Sequence, residues 1–317
     1  MKIGFLIVTH QKPEQLLFLL EQLLSLSKDN LIFIHINKKY EEINKSYFEN
    51  NKNSSLSDER VIFLKDTYAI DWGKDGLLLA QMSLLEEARK RNLDYYIYLS
   101  GQDMMIKKGL QEFVTTNSNK TFIEYSELPE CGLFKYRRMY SKNNELLIPG
   151  KVKMEYYWPP KLINEFGTKI SLNRIRRRLR IELYKRGFPG KKKKISYKPS
   201  KYWYSYFWIS FPDNVAAILL NEWNDVEHRR LWLGSLVPEE NFFATVIMNS
   251  LEINKNDIAN HDLVFLNKIE GSNHVKTNTL DDIPQIDACD KEKFFSRKFD
   301  VNVDKSVVEY YLKLLSK

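Results

Sequence analysis

The sequence predicts an α/β fold built on a mostly parallel central sheet with helices packed on it, and three observations lead there. The N-terminal third alternates short runs that are apolar throughout with helical patterns. Strands apolar on both faces belong in a sheet covered on both sides, and strands separated by helices pair in parallel. A hydrophobic fraction of 43% over 317 residues is enough for one large core. No internal repeat and no Gly- or Pro-rich linker divides the chain, so one mixed α/β unit is expected in place of two independent domains.

The elements follow in order. A strand over 2–9 leads into a helix from Pro13 to Leu26, whose inner face carries Leu16, Leu17, Leu19, Leu20, Leu23 and Leu24. LIFIHI at 31–36 is the second strand, and a polar, Asn-rich loop at 50–58 separates it from a third at 61–64. A helix from Lys74 to Arg89 and a strand at 95–99 complete the pattern. The second half is less regular: strands are expected at 121–125 and 205–211 and helices at 212–223, 238–249 and 306–316, while 140–200 resists assignment. Ligands of such sheets bind beyond the carboxyl ends of the strands. His10, His35, Asn37 and Asp103 are therefore expected around one crevice, with the two histidines able to bind a base or ribose or simply to hold local structure.

Composition narrows the setting. The run at 3–8 starts almost at Met1 and meets polar residues too soon for a signal peptide, and no other apolar run approaches the roughly 20 residues that cross a bilayer. A cytoplasmic protein is expected. Two cysteines, Cys131 and Cys289, lack metal-site spacing and suit a reducing compartment. The net charge of +8 is concentrated in 174–198. There Leu172, Ile175, Leu179 and Leu183 recur at helical spacing between arginines, a pattern of either a solvated charged face or a helix at an anionic membrane surface. Without a recognised nucleic-acid fold, the charge is weak evidence for a nucleic-acid partner.

Motifs exclude several chemistries. G-x-G-x-x-G, the P-loop and the G-x-S-x-G nucleophile elbow are all absent. So is Asp-x-Asp, the pair that often holds a divalent cation against a nucleotide diphosphate, and a diphosphate without a metal needs lysine or arginine. The candidates are Lys276, Arg297 and Lys298, the last set among Phe294, Phe295 and Phe299. In SLVPEENFFATVIMNS, Pro238 suits a first helical position, and Glu239 and Glu240 suit a first turn by complementing the helix dipole. If Phe242, Phe243, Val246 and Ile247 line the buried side, Glu240 points partly inward, where a carboxylate is costly unless it has a partner or a task. Trp208 suits either the core or a sugar-stacking platform.

These blocks together resemble a known family. FLIVTHQKPEQLLFLLEQL, NLIFIHINKKYEE, TYAIDWGKDGLLLAQMSLLEEA, YYIYLSGQDMMIK, VPEENFFATVIMNS and SNHVKTNTLDDI with FFSRKFD are similar, in this order, to the core-2/I-branching β-1,6-N-acetylglucosaminyltransferases and the related peptide O-xylosyltransferases. The resemblance implies a single GT-A domain with a Rossmann-like sheet. Its nucleotide-sugar half would be 1–125 and its acceptor-binding and catalytic half 126–317, with a basic insertion at about 170–200. It implies an inverting, metal-independent transferase with a UDP-sugar donor, N-acetylglucosamine first and UDP-xylose or UDP-galactose as alternatives. Glu240 falls on the family's base, and Lys276 and Lys298 on its two diphosphate-binding cations. Glu124, Lys135 and Arg138 fall on its acceptor contacts, with Glu127 competing for the first. Asn37 stands where relatives carry aspartate. The missing anchor and the few cysteines fit a bacterial enzyme making a surface polysaccharide or lipid-linked glycan at the inner membrane face. A non-catalytic, membrane-associated glycan-binding protein is the rival reading.

Overall fold

A computed structural model describes residues 1–51, 54–127, 199–233, 237–269 and 274–316. Lys135, Arg138 and the basic tract at 172–198 lie outside the described residues. The first half follows the expected alternation: β1 (Ile3–Thr9), α1 (Pro13–Leu24), β2 (Leu31–Ile36), α2 (Glu41–Asn50), β3 (Val61–Phe63), α3 (Gly76–Arg89) and β4 (Tyr95–Ser100). Then come β5 (Asp103–Met105), α4 (Leu110–Thr116) and β6 (Thr121–Glu127). The second half holds β7 (Trp203–Pro212), α5 (Asp213–Asn224), α6 (Val226–Trp232), α7 (Glu239–Asn249), β8 (Ile258–Ala259), β9 (Val264–Leu266), α8 (Ile283–Asp287), β10 (Phe295–Arg297) and α9 (Lys305–Ser316).

Among the described residues the central sheet has seven strands in the order β3-β2-β1-β4-β7-β6-β8. From β3 to β4 every pairing is parallel, as expected for apolar strands joined through helices. β7 then runs antiparallel between β4 and β6. Its start, Trp203, pairs with the end of β6, Glu127, and Lys201 forms an ion pair with Glu127 at 3.0 Å. Both of these strand ends thus lie on the side where β1, β2 and β4 finish. A second sheet, β5-β10-β9, stands just past β4.

Burial explains the unbroken apolar runs. Along β1, Leu6 and Val8 join a core cluster with Phe33, Tyr98 and Phe243, while Phe5 and Ile7 join a separate one with Leu16, Leu20 and Phe295. Successive side chains alternate faces, so a strand covered on both sides must be apolar at every position. α2 was not expected, and its sequence EEINKSYFEN shows why: only Asn44 is buried. That side chain donates to the His10 and Tyr40 carbonyls, both at 2.7 Å, and the partly buried Tyr47 and Phe48 pack on the core beside it, so one polar anchor and two aromatic rings dock a helix with no full apolar stripe. No helix among the described residues is long and apolar enough to cross a membrane.

At the start of α3, a Cβ added to Gly76 would lie 2.2 Å from the Ala69 carbonyl oxygen. The loop before the helix therefore packs on bare backbone. Alanine ordinarily gains up to about 1 kcal/mol over glycine in a helix, but a backbone clash of this size costs more, about 1–3 kcal/mol. Gly76→Ala should lower the urea midpoint with an unchanged slope, and a stability equal to or above the original would contradict the close approach.

Candidate active site

The crevice is built where β1, β2 and β4 end. Gly101 follows β4 so closely on β1 that a Cβ there would meet Thr9 Oγ1 at 2.3 Å. This tight crossing carries the chain into Asp103, whose side chain has no solvent exposure. Its Oδ2 accepts from the Ser100 N–H at 2.7 Å and from Trp208 Nε1 at 2.8 Å, and its Oδ1 lies 3.2 Å from Arg297 Nη1. Burial pushes the Asp103 carboxyl up, and the Arg297 charge and these donors oppose the shift. The carboxylate is filled by protein donors and organises the crevice from beneath.

Trp208 is nearly buried in β7, gives its N–H to Asp103 and has the Arg297 guanidinium 5.4 Å from its ring centroid. A sugar-stacking platform needs a bare face, so the expected platform is here a supporting residue. Opposite it, β6 and β7 lose register between Ile123 and Tyr125, which leaves Glu124 half-buried at the irregularity. Glu127 is exposed and ion-paired with Lys201, so of the two competing glutamates Glu124 is the uncommitted one among the described residues.

The two histidines separate. His10 lies half-buried past β1, its Nδ1 3.1 Å from Asn37 Nδ2, and burial first and the Arg297 charge second lower its pKa. His35 has no exposure: Nε2 accepts the Tyr68 N–H at 2.9 Å, and the Tyr68 ring stacks on it at 6.0 Å. Asn37, 2% exposed, accepts from the Lys39 and Ile70 N–H groups and donates to the Ile70 carbonyl. His35 and Asn37 thus hold the 65–71 loop across the strand ends instead of opening onto the crevice. The sequence placed both at strand ends correctly and could not show that a later loop closes over them.

The cations come from the second sheet. β10 pairs antiparallel with β5, setting Arg297 opposite Asp103, and the Phe299 N–H donates to the Gln102 carbonyl at 2.9 Å. Lys276 and Lys298 sit on segments joined through buried Asn267, Asn278 and Ser296: Asn267 Nδ2 reaches Asn278 Oδ1 at 3.0 Å, and Asn278 Nδ2 reaches Ser296 Oγ at 3.2 Å. The Asn278 N–H also donates to the Lys298 carbonyl at 2.7 Å. The Lys276 ammonium is engaged by Asp282 at 2.6 Å. Half-buried Lys298 has no carboxylate partner among the described residues.

α7 starts at Glu239, with Pro238 just before it and not at its first position. Val237, a β-branched residue, takes φ 44, a costly conformation at the entrance to this helix. Glu240 is half-buried, and Glu239 is the more buried of the two at 7% exposure. Every residue from Asn241 to Ile247 is buried, so the helix has no single inner face from which a direction could be inferred. Phe243 packs edge-on to Tyr98 of β4 at 5.5 Å, and Thr245 bonds the Trp203 backbone of β7. Glu240 therefore begins a helix held on the two strands that lead to Asp103 and Trp208.

The core-2/I-branching enzyme family matches residues 3–172 of this sequence, more than half of it. The chain belongs to that family. This core-2/I-branching enzyme is thereby a glycosyltransferase, acting between a sugar donor and a glycan acceptor; Glu240, Lys276 and Lys298 lie beyond the matched stretch. Among curated proteins no match is found. Similar solved structures include a 4-diphosphocytidyl-2C-methyl-D-erythritol synthase from Anaerococcus prevotii, at 12% identity, 53% of this chain, 78% of that one and a TM-score of 0.28. A UDP-glucose pyrophosphorylase variant from Leishmania major shows 12% identity over 41% of this chain and 36% of that one, with a TM-score of 0.27.

The enzyme's buried His35 sets a pH dependence. Burial is the largest cause that lowers its pKa from 6.5 to about 4, and protonating Nε2 would break the Tyr68 bond. The unfolded chain takes up this proton near the ordinary value while the folded one resists it, so stability is full above that value and falls as pH drops from 6.5 towards 4. The loss approaches roughly 3 kcal/mol. Denaturant titrations across this range should show that decline, and His35→Gln should remove the His35 part of it; an unchanged slope in the variant would contradict the assignment.

Proposed function

We propose that this glycosyltransferase moves a sugar, N-acetylglucosamine in the first instance, from a UDP-sugar to a hydroxyl of a glycan or lipid-linked saccharide, with inversion to a β-linkage. The observation that carries this reading is the stitching of the Lys276 and Lys298 segments to the end of β4, which brings fixed positive charge to the crevice. Growing negative charge on a departing diphosphate is stabilised by cations already in place, the task a metal performs elsewhere. Lys298 takes the larger share, since Lys276 would have to leave Asp282 to contribute.

The chemistry is one displacement. Glu240 removes the proton of the acceptor hydroxyl as its oxygen attacks the anomeric carbon, and the bond to UDP breaks on the opposite face. Half-burial supports Glu240 over Glu239, because a base must meet an incoming hydroxyl and Glu239 is closed off from solvent. Glu124 on β6 and Glu240 at the start of α7 are both half-buried and suit contact with a polyhydroxyl acceptor.

Glu240→Gln should cut transfer by about 10²–10⁴-fold, the usual worth of a positioned base, while UDP affinity by calorimetry stays unchanged. Normal turnover in that variant rejects the base assignment. Lys298→Ala should weaken UDP binding, and activity should survive EDTA; rescue of EDTA-treated enzyme by manganese would reject metal independence. UDP binding with no UDP release from any donor would favour the non-catalytic reading.

A further inference from the structure

Arg297 directly precedes Lys298, and the mechanism above gives it no task. Its Nη1 donates to Ser100 Oγ and lies 3.2 Å from Asp103 Oδ1, while the guanidinium covers the Trp208 ring. One side chain thereby engages a hydroxyl, a fully buried carboxylate and an aromatic face at once. Both polar contacts are made by Nη1 while the planar guanidinium meets the ring, a geometry that a compact ammonium on a flexible stem reproduces less well. The three partners come from the end of β4, the start of β5 and β7, whereas Arg297 itself belongs to β10, the strand that runs into Lys298. The Lys298 carbonyl is held by the Asn278 N–H, and the next residue, Phe299, by Gln102. The ammonium of Lys298 has no partner of its own among the described residues, so its placement comes from these neighbours.

We propose that Arg297 is a positioning residue: by locking the Ser100–Asp103 turn and Trp208 onto β10, it presents the Lys298 ammonium to the donor's diphosphate. This rests on the reading that Lys298 meets a diphosphate. Arg297 acts through its neighbour and makes no contact with substrate in this assignment, so its loss should be felt by diphosphate and not by nucleoside.

The test uses the full chain and compares UDP with uridine by calorimetry for the original protein, Arg297→Lys, Arg297→Met, Lys298→Ala and the Arg297→Met/Lys298→Ala double variant. Both Arg297 variants should bind UDP at least about tenfold more weakly, a change of about 1.4 kcal/mol, and bind uridine as before. Retained uridine binding reports an intact fold, which a merely structural loss would not leave. The double variant should bind UDP no more weakly than Lys298→Ala, because two residues acting through one contact are not additive. Unchanged UDP affinity in both Arg297 variants, parallel loss of UDP and uridine in both, or additive losses in the double variant would each overturn the proposal. If Lys298→Ala binds UDP normally, the diphosphate reading falls and takes the proposal with it. A weakened Lys298→Ala beside unaffected Arg297 variants removes the proposal alone.

Discussion

A carboxylate sealed from solvent is the constraint on which the crevice depends. Asp103 has no exposure, and a buried charge is tolerated only when donors surround it. Those donors come from the backbone of its own turn, from β7 and from β10. One group thus joins the parallel half of the sheet, its antiparallel strand and the smaller second sheet. None of the three can shift without exposing or orphaning the charge.

The opposite wall is held by neutral polar groups. Asn37 and buried His35 take the backbone of the 65–71 loop in place of solvent, and Asn44 ties α2 to the end of β1. Each of these side chains works through hydrogen bonds at a strand end, where regular pairing stops and backbone groups need other partners. The cationic wall is organised alike, with Asn267 and Asn278 bridging the lysine-bearing segments.

The parallel half of the fold was legible because its physics is local: apolar runs mark β1, β2 and β4, and Leu16 to Leu23 mark α1. β5, β9 and β10 were not legible, since these three-residue strands lie outside the strand–helix alternation that marks β3 and pair with residues far along the chain. The site divides in the same manner. Strand-end positions flagged His10, Asn37 and Asp103, and spacing from aromatic residues flagged Lys298. That Asp103 and Trp208 would be consumed by one another, and that Arg297 would complete them, depended on contacts across 105 and 194 positions. For Glu239 and Glu240 the helical wheel could not rank the two carboxylates, because the residues after them, Asn241 to Ile247, are buried on every side of α7.

The pairing of Glu127 with Trp203 has a bearing on how such an enzyme can diversify. Glu127 at the end of β6 and Trp203 at the start of β7 are paired neighbours on the crevice side. A connection whose ends are already joined can lengthen or shorten cheaply, at about 0.6 kcal/mol per doubling of its length. Different connections could be installed there without disturbing the strands that carry Asp103 or Trp208. The pairing therefore fixes both strand ends beside the strands that carry Asp103 and Trp208, whatever the length of chain between them.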